Sequence, residues 1–311
     1  MKKILITGAA GYIGSMLATR LVSLKYNVTA VDMLKYDKNS LSHLFGKKNF
    51  KFIKADIRKI PLIKKIVKKQ DYIFPLAALV GAPLCEKFKK NTLKTNVESI
   101  VNLIKHLKPN QKIIYPTTNS GYGIGEKNKY CDENSPLNPI SLYGTSKAAA
   151  ESIILGYKNS VCFRLATVFG FSYRMRTDLL VNNFVQKSVS TGKLDLFEPY
   201  FRRNYIHISD VINAFIFAIQ NFSRLKGNTF NLGLSSANLT KIALAKKIKK
   251  KIKKLKIKII RGRSDPDKRD YYVSNKKIEK AGFKPSTNIE NGINELIQLF
   301  THVDIKFKNN Y

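Results

Sequence analysis

The sequence predicts an α/β fold built on a doubly wound parallel sheet, and three observations support this fold class. The apolar run at residues 4–6 lacks polar alternation, which is typical of a strand buried on both faces. From Tyr12 to Leu21, apolar residues recur every three or four positions, as they do in a helix packed on a sheet. Similar strand and helix patterns alternate as far as residue 165, and serial βα units form parallel sheets with right-handed crossovers.

The loop between the first strand and the first helix contains three glycines spaced G-x-x-G-x-x-G. Gly8 permits a tight turn, Gly11 lets the backbone approach a pyrophosphate, and Gly14 lets the helix pack closely on the strand. The helix N-terminus offers unpaired N–H groups and the positive end of its dipole to an anion. A glycine-rich turn without a ligand is the alternative, but the complete strand–loop–helix order favours a dinucleotide-binding Rossmann fold.

The next apolar run, at residues 28–31, ends in Asp32. A carboxylate at this strand end, about 20 residues beyond the glycines, can accept hydrogen bonds from both ribose hydroxyls of an adenine nucleotide. It would repel a 2′-phosphate, so we predict NAD as the cofactor and not NADP. No arginine, which could bind such a phosphate, follows Asp32 directly. Lys35 is the one nearby feature of the sequence that favours NADP instead.

The remaining patterns place the other elements in order along the chain. We expect strands at 50–55, 72–76, 113–115 and 161–165, and helices at 62–69, 91–107, 141–157 and 179–190. After residue 165 the alternation becomes irregular, which predicts a smaller C-terminal α/β lobe that binds the substrate. We therefore divide the chain into a cofactor-binding domain at 1–165 and a substrate lobe at 166–311, some segments of which return to the first lobe.

Composition excludes several other classes of protein. The 311 residues, of which 44% are hydrophobic, can form a large core, so we expect a folded chain. The three widely spaced cysteines form no disulfide framework, which favours a reducing cytoplasm, and the four scattered histidines show no metal-ligand spacing. The first apolar run is too short for a secretory signal, and no apolar stretch is long enough to cross a membrane.

The net charge of +35 comes mostly from lysines that are spread along the whole chain. Nucleic-acid or anionic-membrane binding is one interpretation of such a charge. We favour a solvated lysine surface and expect no nucleic-acid partner, because aromatic residues are not interleaved with the basic ones. The densest run, 246–258, places Ile248, Ile252 and Leu255 at helical spacing and predicts an amphipathic helix. A transient membrane or acidic partner for that helix is the alternative.

The predicted helix at 141–157 contains Tyr143 and Lys147, which stand four residues apart and therefore on one face. An ammonium beside a phenol favours the phenolate and lowers its pKa, as a general base requires. A tyrosine and a lysine at this spacing are also common on ordinary amphipathic helices. The pair alone therefore does not identify an enzyme.

Several segments together resemble the extended short-chain dehydrogenase/reductase family, whose members act on nucleotide sugars. These segments are TGAAGYIG, Asp32, the pair Asp56 and Ile57, LAA at 76–78 and YGTSK at 143–147. The resemblance covers nearly the whole chain and implies NAD as the cofactor and a homodimer formed through the helices at 91–107 and 141–157. It implies catalytic roles for Thr118, Tyr143 and Lys147, since Thr118 lies 25 residues before Tyr143, as the catalytic Ser or Thr of the family does. The cofactor-binding residues that it implies are Gly8, Gly11, Tyr12, Ile13, Gly14, Asp32, Asp56, Ile57, Leu76, Ala77, Ala78, Tyr143 and Lys147.

The resemblance extends to family residues that contact the substrate. FRRNYIHISDV at 201–211 is similar to a family segment whose arginine contacts the substrate pyrophosphate. That role falls on Arg203, with Asn204 in place of the usual aspartate, whereas His207 and Asp210 are expected to be structural. The substrate-binding residues that the resemblance implies are Asn119, Ser120, Asn182, Arg203 and Arg269.

The resemblance also bears on the type of reaction. Asn119 and Ser120 follow Thr118, where the C4–C6 dehydratases of the family carry an aspartate and a glutamate as acid and base. Neither side chain can do that work. The 3,5-epimerase/reductase relatives carry a cysteine at the position of Asn119, and Cys85 is expected to be a buried, inert thiol. The reactions that remain both begin with oxidation at C4 of the sugar. A dehydrogenase stops there, whereas a 4-epimerase returns the hydride to the opposite face of C4.

Further segments are similar to one bacterial subgroup of this family, the dehydrogenases that oxidise C4 of a GDP-linked heptose for capsular heptose modification. These segments are PLAALVGAPLCEK, TTNSGYGIGEK, RMRTDLLVNNF, NLGLSSANLT and DPDKRDY. The resemblance implies a GDP-heptose as substrate, with a 2-oxo acid as one candidate for reoxidising NADH. A 4-epimerase of a UDP- or GDP-hexose needs no such oxidant and is the first alternative. A non-catalytic Rossmann-type binding protein is the second, and the intact Thr118, Tyr143 and Lys147 argue against it.

Overall fold

The computed structural model describes residues 1–126, 129–260, 269–305 and 310. The strands in these residues are β1 (Lys3–Thr7), β2 (Asn27–Asp32), β3 (Phe50–Lys54), β4 (Tyr72–Pro75), β5 (Lys112–Thr118), β6 (Tyr130–Cys131), β7 (Ser160–Leu165), β8 (Thr167–Phe169), β9 (Lys193–Leu196), β10 (Arg202–His207), β11 (Asn228–Leu232), β12 (Asn238–Thr240), β13 (Lys256–Ile259) and β14 (Tyr272–Val273). Seven of them form one sheet in the order β11-β7-β5-β4-β1-β2-β3, and every neighbouring pair is parallel. The predicted doubly wound parallel sheet is confirmed.

Helices cover both faces of this sheet. The α-helices in the described residues are α1 (Tyr12–Ser23), α2 (Ile60–Val67), α3 (Ala82–Lys87), α4 (Lys89–Leu93), α5 (Ser99–Lys105), α6 (Leu142–Leu155), α7 (Leu180–Thr191), α8 (Ile208–Gln220), α9 (Phe222–Leu225), α10 (Lys241–Lys251), α11 (Lys276–Lys280) and α12 (Ile289–His302). Ile4 and Ile6 of β1 pack in one core with Leu17 of α1 and Phe215 of α8, whereas Leu5 points into a separate core on the other face. Because both faces are covered, the sheet strands lack the polar alternation of a half-exposed sheet.

The strand order reverses at β1, since β2 and β3 lie on one side of it and β4, β5, β7 and β11 lie on the other. Ligands of doubly wound sheets bind at the carboxyl ends of the strands beside such a reversal. The glycine loop follows β1 there, and the neighbouring strand ends lead to Asp32, Leu76 and Thr118.

The predicted helix at 91–107 differs from the observed one. Helices α4 and α5 are joined by a π-helical turn, Lys94–Glu98, so the helix begins at Lys89 and carries a bulge at its middle. Bulges of this kind reorient side chains and are frequent at functional sites. Here the bulge contains Asn96, a fully buried side chain that reaches the wall of the cleft described below.

The prediction of an amphipathic helix over 246–258 is wrong for the second half of that segment. Helix α10 ends at Lys251, and β13 then pairs in parallel with β9. Ile248 and Leu255 are both buried, as predicted, but Leu255 closes the turn between helix and strand. The physical reason is that the KIKI sequence of β13 alternates every second residue, and branched isoleucines suit an extended chain that finds a partner strand.

The chain after β7 builds a second group of elements. Strand β10 lies between β8 and β12, and a second core collects side chains of α7, α10 and α12. Strand β11 and helix α8 return to the large sheet. Within the described residues, no helix combines the length and apolar character needed to cross a bilayer. The same residues contain no group of three His, Cys, Asp or Glu side chains arranged to bind a metal ion.

Candidate active site

A cavity of about 870 Å³ opens where the carboxyl ends of the sheet strands meet the elements that follow β7. Its volume is within the range of about 300–1,000 Å³ that is usual for ligand sites. The lining includes these residues predicted from the sequence: Gly8, Gly11, Tyr12, Ile13, Gly14, Asp32, Asp56, Ile57, Leu76, Ala77, Ala78, Thr118, Ser120, Tyr143, Lys147, Arg203 and Arg269. The fold therefore brings together predicted residues that are as far apart in the sequence as Gly8 and Arg269.

The glycine loop has the shape that a dinucleotide diphosphate requires. Gly8 has a φ of +68°, and a Cβ on it would lie 2.6 Å from the backbone nitrogen of Ala77. A Cβ on Gly14 would lie 2.2 Å from the carbonyl oxygen of Gly8, so the helix could not pack this closely on the loop. Gly11 caps α1 without any side-chain hydrogen bond, and the first turn contains no acidic residue. The N–H groups of this helix end are therefore directed at the cavity with no protein anion in the first turn, which fits a bound diphosphate.

Two carboxylates, those of Asp32 and Asp56, line the same cavity as this loop. Asp32 accepts hydrogen bonds from the backbone N–H of Ala10 at 3.0 Å and of Leu34 at 2.7 Å, and its partial burial raises its pKa. Its position beside the glycine loop fits the recognition of a ribose diol. Asp56 pairs with Arg58 at 2.6 Å, a contact that lowers the pKa of Asp56. Arg58 also lines the cavity and was not predicted as a site residue.

Thr118 and Tyr143, two of the predicted catalytic residues, line the cavity next to each other. Thr118 ends β5, and its Oγ1 lies 2.8 Å from Ser120 Oγ and accepts the Ser120 N–H at 3.1 Å. Burial raises the pKa of Tyr143, whereas the nearby charge of Arg269 and the hydroxyl of Thr118 act in the opposite direction. The phenol is therefore held protonated by burial, beside groups that would favour its phenolate once a proton leaves.

The ammonium of Lys147, which the sequence placed beside the phenol of Tyr143, contacts Tyr115 instead. Its ammonium donates a hydrogen bond to Tyr115 Oη at 2.5 Å and lies 3.9 Å from the centre of that ring. Burial lowers the pKa of Lys147 to about 7. The positive charges that act on Tyr143 in this structure are instead those of Arg269 and Arg176. The sequence could not foresee this arrangement, because Tyr115 approaches Lys147 only through the packing of β5 against α6.

Asn96, in the π-helical turn, ties the cavity wall to the helix that carries Tyr143. Its side chain accepts a hydrogen bond from the Leu79 N–H at 2.8 Å and donates to the Leu79 carbonyl at 2.9 Å. It also donates to Ser146 Oγ at 3.1 Å, on the helix between Tyr143 and Lys147. The loop after β4 and helix α6, which carries the cavity-lining Tyr143 and Lys147, are therefore fixed relative to each other by one buried amide.

Two predicted substrate residues do not line the cavity. Asn182 is fully buried, where it accepts the Gly170 N–H at 3.0 Å and donates to the Arg176 carbonyl at 2.9 Å. Its neighbour Asn183 lines the cavity instead, because successive helical residues point about 100° apart. Asn119 is also buried, and its amide atoms have no hydrogen-bond partner among the described residues. The amide of Asn182 is therefore occupied by backbone groups, whereas that of Asn119 is buried without a partner among the described residues, and the contacts of both with substrate stay predictions.

The other expectations concern neighbouring positions. Cys85 donates a hydrogen bond from its thiol to the Leu79 carbonyl, and burial raises its pKa to about 11, so it is a thiol at neutral pH. His207 caps helix α8, and Asp210 accepts hydrogen bonds from Ser286 and Thr287. Residues 265–268 of the DPDKRDY segment lie outside the described residues.

Cationic side chains line the side of the cavity that is formed by the chain after β7. Arg269 donates to the hydroxyl of Ser120, and the Arg203 side chain is only 3% exposed. The cavity-lining cations on this side are Arg174, Arg176, Arg203, Lys241 and Arg269. Guanidinium groups bind phosphate oxygens through two parallel hydrogen bonds, so the lining suits an anionic substrate such as a diphosphate ester. Arg174 and Arg176 were missed as site residues, although the RMR sequence that contains them was noted as part of a similar segment.

A doubly wound sheet, a glycine loop shaped for a diphosphate and a cationic cleft beside Thr118, Tyr143 and Lys147 are typical of enzymes that bind a dinucleotide cofactor. The model of the NAD dependent epimerase/dehydratase family matches residues 4–233, and the chain belongs to this family. The prediction of NAD as the cofactor is therefore confirmed.

Individual relatives agree with this assignment. CDP-paratose 2-epimerase of Salmonella typhi is 30% identical over 271 residues, which are 76% of this chain and 80% of that protein. Human dTDP-D-glucose 4,6-dehydratase is 26% identical over 330 residues, covering 99% of this chain and 92% of that protein. The structure of dTDP-glucose 4,6-dehydratase from Bacillus anthracis in complex with NAD matches with a TM-score of 0.85 at 24% identity, over 98% of each chain. Because their names describe different reactions, the reaction of this chain must be argued from its own residues.

Proposed function

We propose that this chain is a NAD-dependent nucleotide-sugar 4-dehydrogenase that converts GDP-D-glycero-D-manno-heptose into its 4-keto form during capsule or surface polysaccharide biosynthesis. The observation that carries the proposal is the sequence around Thr118. Thr118 and Tyr143 share the cavity, but Asn119 and Ser120 replace the acid pair that elimination of water would need. The resemblance to the GDP-heptose subgroup supports the guanosine nucleotide and the heptose.

The chain's residues supply proton transfer and positioning. Tyr143, as its phenolate, would take the proton of the C4 hydroxyl, and Thr118 would hold that hydroxyl in place. NAD, when bound, supplies the acceptor for the hydride that leaves C4. The charge of Arg269 would favour the phenolate that burial disfavours. Lys147, with a pKa of about 7, can exchange a proton near neutral pH and is proposed to hold the nicotinamide ribose.

The cofactor and substrate residues have separate parts of the cavity. Gly8, Gly11 and Gly14 would hold the cofactor diphosphate, and Asp32 would hold the adenosine ribose. Arg203 is proposed to bind the diphosphate of the nucleotide sugar, and Arg269 lies close enough to Ser120 and Tyr143 to bind near the sugar.

Net oxidation requires an acceptor for the two electrons removed from each sugar. A 2-oxo acid is proposed for this step, since reduction of its carbonyl to a hydroxyl would consume the hydride and one proton and restore NAD. We further propose that the enzyme acts in the cytoplasm and forms a homodimer through the helices α4, α5 and α6. Size-exclusion chromatography with light scattering would test the homodimer.

The test is to incubate the purified protein with GDP-D-glycero-D-manno-heptose, GDP-mannose and UDP-glucose, with and without a 2-oxo acid. Mass spectrometry of the products distinguishes the possible reactions. Loss of two hydrogens from the GDP-heptose, increased by the 2-oxo acid, supports the proposal. Loss of water from a sugar would contradict it, because the site lacks the acid pair.

A 4-epimerase is the second candidate, and two relatives are named as epimerases of nucleotide sugars, although neither name specifies C4. Besides CDP-paratose 2-epimerase, a Bacillus subtilis protein named as an uncharacterized UDP-glucose epimerase is 30% identical over 248 residues. An epimerase would give an isomer of unchanged mass and would need no 2-oxo acid. A non-catalytic protein would bind NAD without changing any sugar, and the buried Thr118 and Tyr143 argue against that outcome.

A further inference from the structure

The loop from 170 to 178, here called the arginine loop, joins β8 to α7 and is fastened to the first turn of α1. Ser172 Oγ donates to the Tyr12 carbonyl at 2.7 Å and lies 3.1 Å from Ser15 Oγ. Tyr12 Oη in turn donates to the Gly170 carbonyl at 2.7 Å. The arginine loop therefore lies against the helix end that follows the glycine loop, although it belongs to the C-terminal part of the chain.

Two arginines of this loop line the cavity, Arg174 at 2% exposure and Arg176 at 7%. Arg176 forms an ion pair with the buried Asp178, and its charge lowers the pKa of Arg174, for which burial is the larger cause. Burying two neighbouring cations is costly unless anions compensate them. Within the described residues Arg174 forms no ion pair of its own, although the charges of Asp178 and Asp37 both favour its charged form.

Arg174 has little direct compensation of its own. One guanidinium nitrogen donates to the neutral side-chain amide of Asn310 at 2.6 Å, and the group lies 5.1 Å from the ring centre of Tyr36. Its Nε is buried and has no hydrogen-bond partner in the part of the chain that the structure describes. A buried, unpaired donor on a cavity-lining cation indicates that an anionic ligand completes the site.

The neighbours of the two arginines show which part of the cofactor lies there. The positive charge of Arg174 acts to lower the pKa of Asp32, the residue that fits the adenosine ribose. The charge of Arg176 acts to lower the pKa values of two tyrosines. One is Tyr12, in the first turn of α1, and the other is Tyr143, the proposed base at the reacting end of the cavity. The pair therefore spans the interval between the ribose site and the catalytic tyrosine. In NAD that interval is occupied by the diphosphate.

We propose that Arg174 and Arg176 bind the diphosphate of NAD from the C-terminal lobe, so that the arginine loop holds the cofactor against the glycine loop as a strap. The guanidinium groups add side-chain donors to the backbone N–H groups of α1. The same chemistry could serve the diphosphate of the nucleotide sugar, and the experiment must separate the two sources. Both arginines are positioning residues in this proposal.

The test measures ligand binding to the full chain, freed of bound nucleotide, by calorimetry. The ligands are ADP-ribose, which carries the diphosphate without nicotinamide, adenosine, which lacks it, and GDP. Arg174→Gln is expected to weaken ADP-ribose binding on the order of 10- to 100-fold, as loss of a charged hydrogen bond implies, and to leave adenosine and GDP binding unchanged. Arg176→Gln combined with Asp178→Asn removes a charge of each sign and should also weaken ADP-ribose binding.

Arg20→Gln is the matched control, because Arg20 is an exposed arginine near the far end of the same helix. It should bind all three ligands as the unchanged protein does. Unchanged ADP-ribose binding by Arg174→Gln would overturn the proposal. Equal loss of adenosine and ADP-ribose would assign Arg174 a structural role, and selective loss of GDP would assign it to the substrate, so either result would also overturn it.

Discussion

The Tyr143→Phe substitution tests the proposed chemistry most directly. It removes the hydroxyl oxygen that would take the C4 proton and keeps the ring that fills the buried site. Because positioned general bases contribute about 10²- to 10⁴-fold to a rate, turnover should fall by about that factor. NAD binding should not change, since the contacts proposed for the diphosphate and the adenosine ribose come from the glycine loop, Asp32, Arg174 and Arg176.

The pH profile of the unchanged enzyme gives a second, independent measure. Burial raises the pKa of Tyr143, so the phenolate is a minor form at neutral pH. The rate should therefore rise with pH, by about tenfold per unit while pH is below the pKa, if the phenolate is the base. The assay is NADH absorbance under single-turnover conditions with the GDP-heptose.

Tyr200→Phe is the control, because Tyr200 is 71% exposed and does not line the cavity. It should keep both the full rate and the pH profile. The reasoning is refuted if Tyr143→Phe retains full turnover. It is also refuted if Tyr143→Phe shows the same rise of rate with pH as the unchanged enzyme, since another group would then be the base.

Three further predictions concern the cofactor site and stability. Asp32→Asn should weaken NAD binding by about tenfold and NADP binding by less, as one charged hydrogen bond to the ribose is lost, which calorimetry can measure. Burial holds the pKa of Lys147 at about 7, against 10.5 without burial, so the unfolded chain binds more protons between these values and stability should gain from rising pH. In urea unfolding, Lys147→Met should lose that gain in stability between about pH 7 and 9. An unchanged pH dependence of stability would contradict the lowered pKa of Lys147. Glu151→Gln leaves the buried Arg164 without its carboxylate partner, now at 2.7 Å, and should cost about 3–5 kcal/mol of stability, whereas Glu98→Gln, at an exposed helical position, should cost little.

Local sequence patterns were sufficient to predict the elements of the cofactor-binding half of the molecule. The strand–glycine–helix order, Asp32 at a strand end and the tyrosine–lysine spacing each depend on neighbours within one element or one turn. The cavity-lining residues of the substrate half were harder to predict from the sequence. Asn182 and Asn183 are adjacent, and only the position at which α7 begins decides which of them faces the cavity. The helix prediction over 246–258 failed for a related reason, since the β9 partner of each β13 residue lies 63 residues earlier and pairs with a segment that could equally have continued a helix.

The sequence by itself determined the parallel sheet, the glycine loop, the choice of NAD and the presence of Thr118 and Tyr143 at one site. It could do so because apolar periodicity and glycine spacing act over short distances. Tertiary structure alone decided that Lys147 meets Tyr115, that Asn182 is buried, and that Arg174 and Arg176 lie beside the first helix. The contact of Lys147 with Tyr115 joins residues 32 positions apart, and that of Ser172 with Tyr12 joins residues 160 positions apart. The energies of such contacts depend on burial and charge, which no local pattern of residues contains.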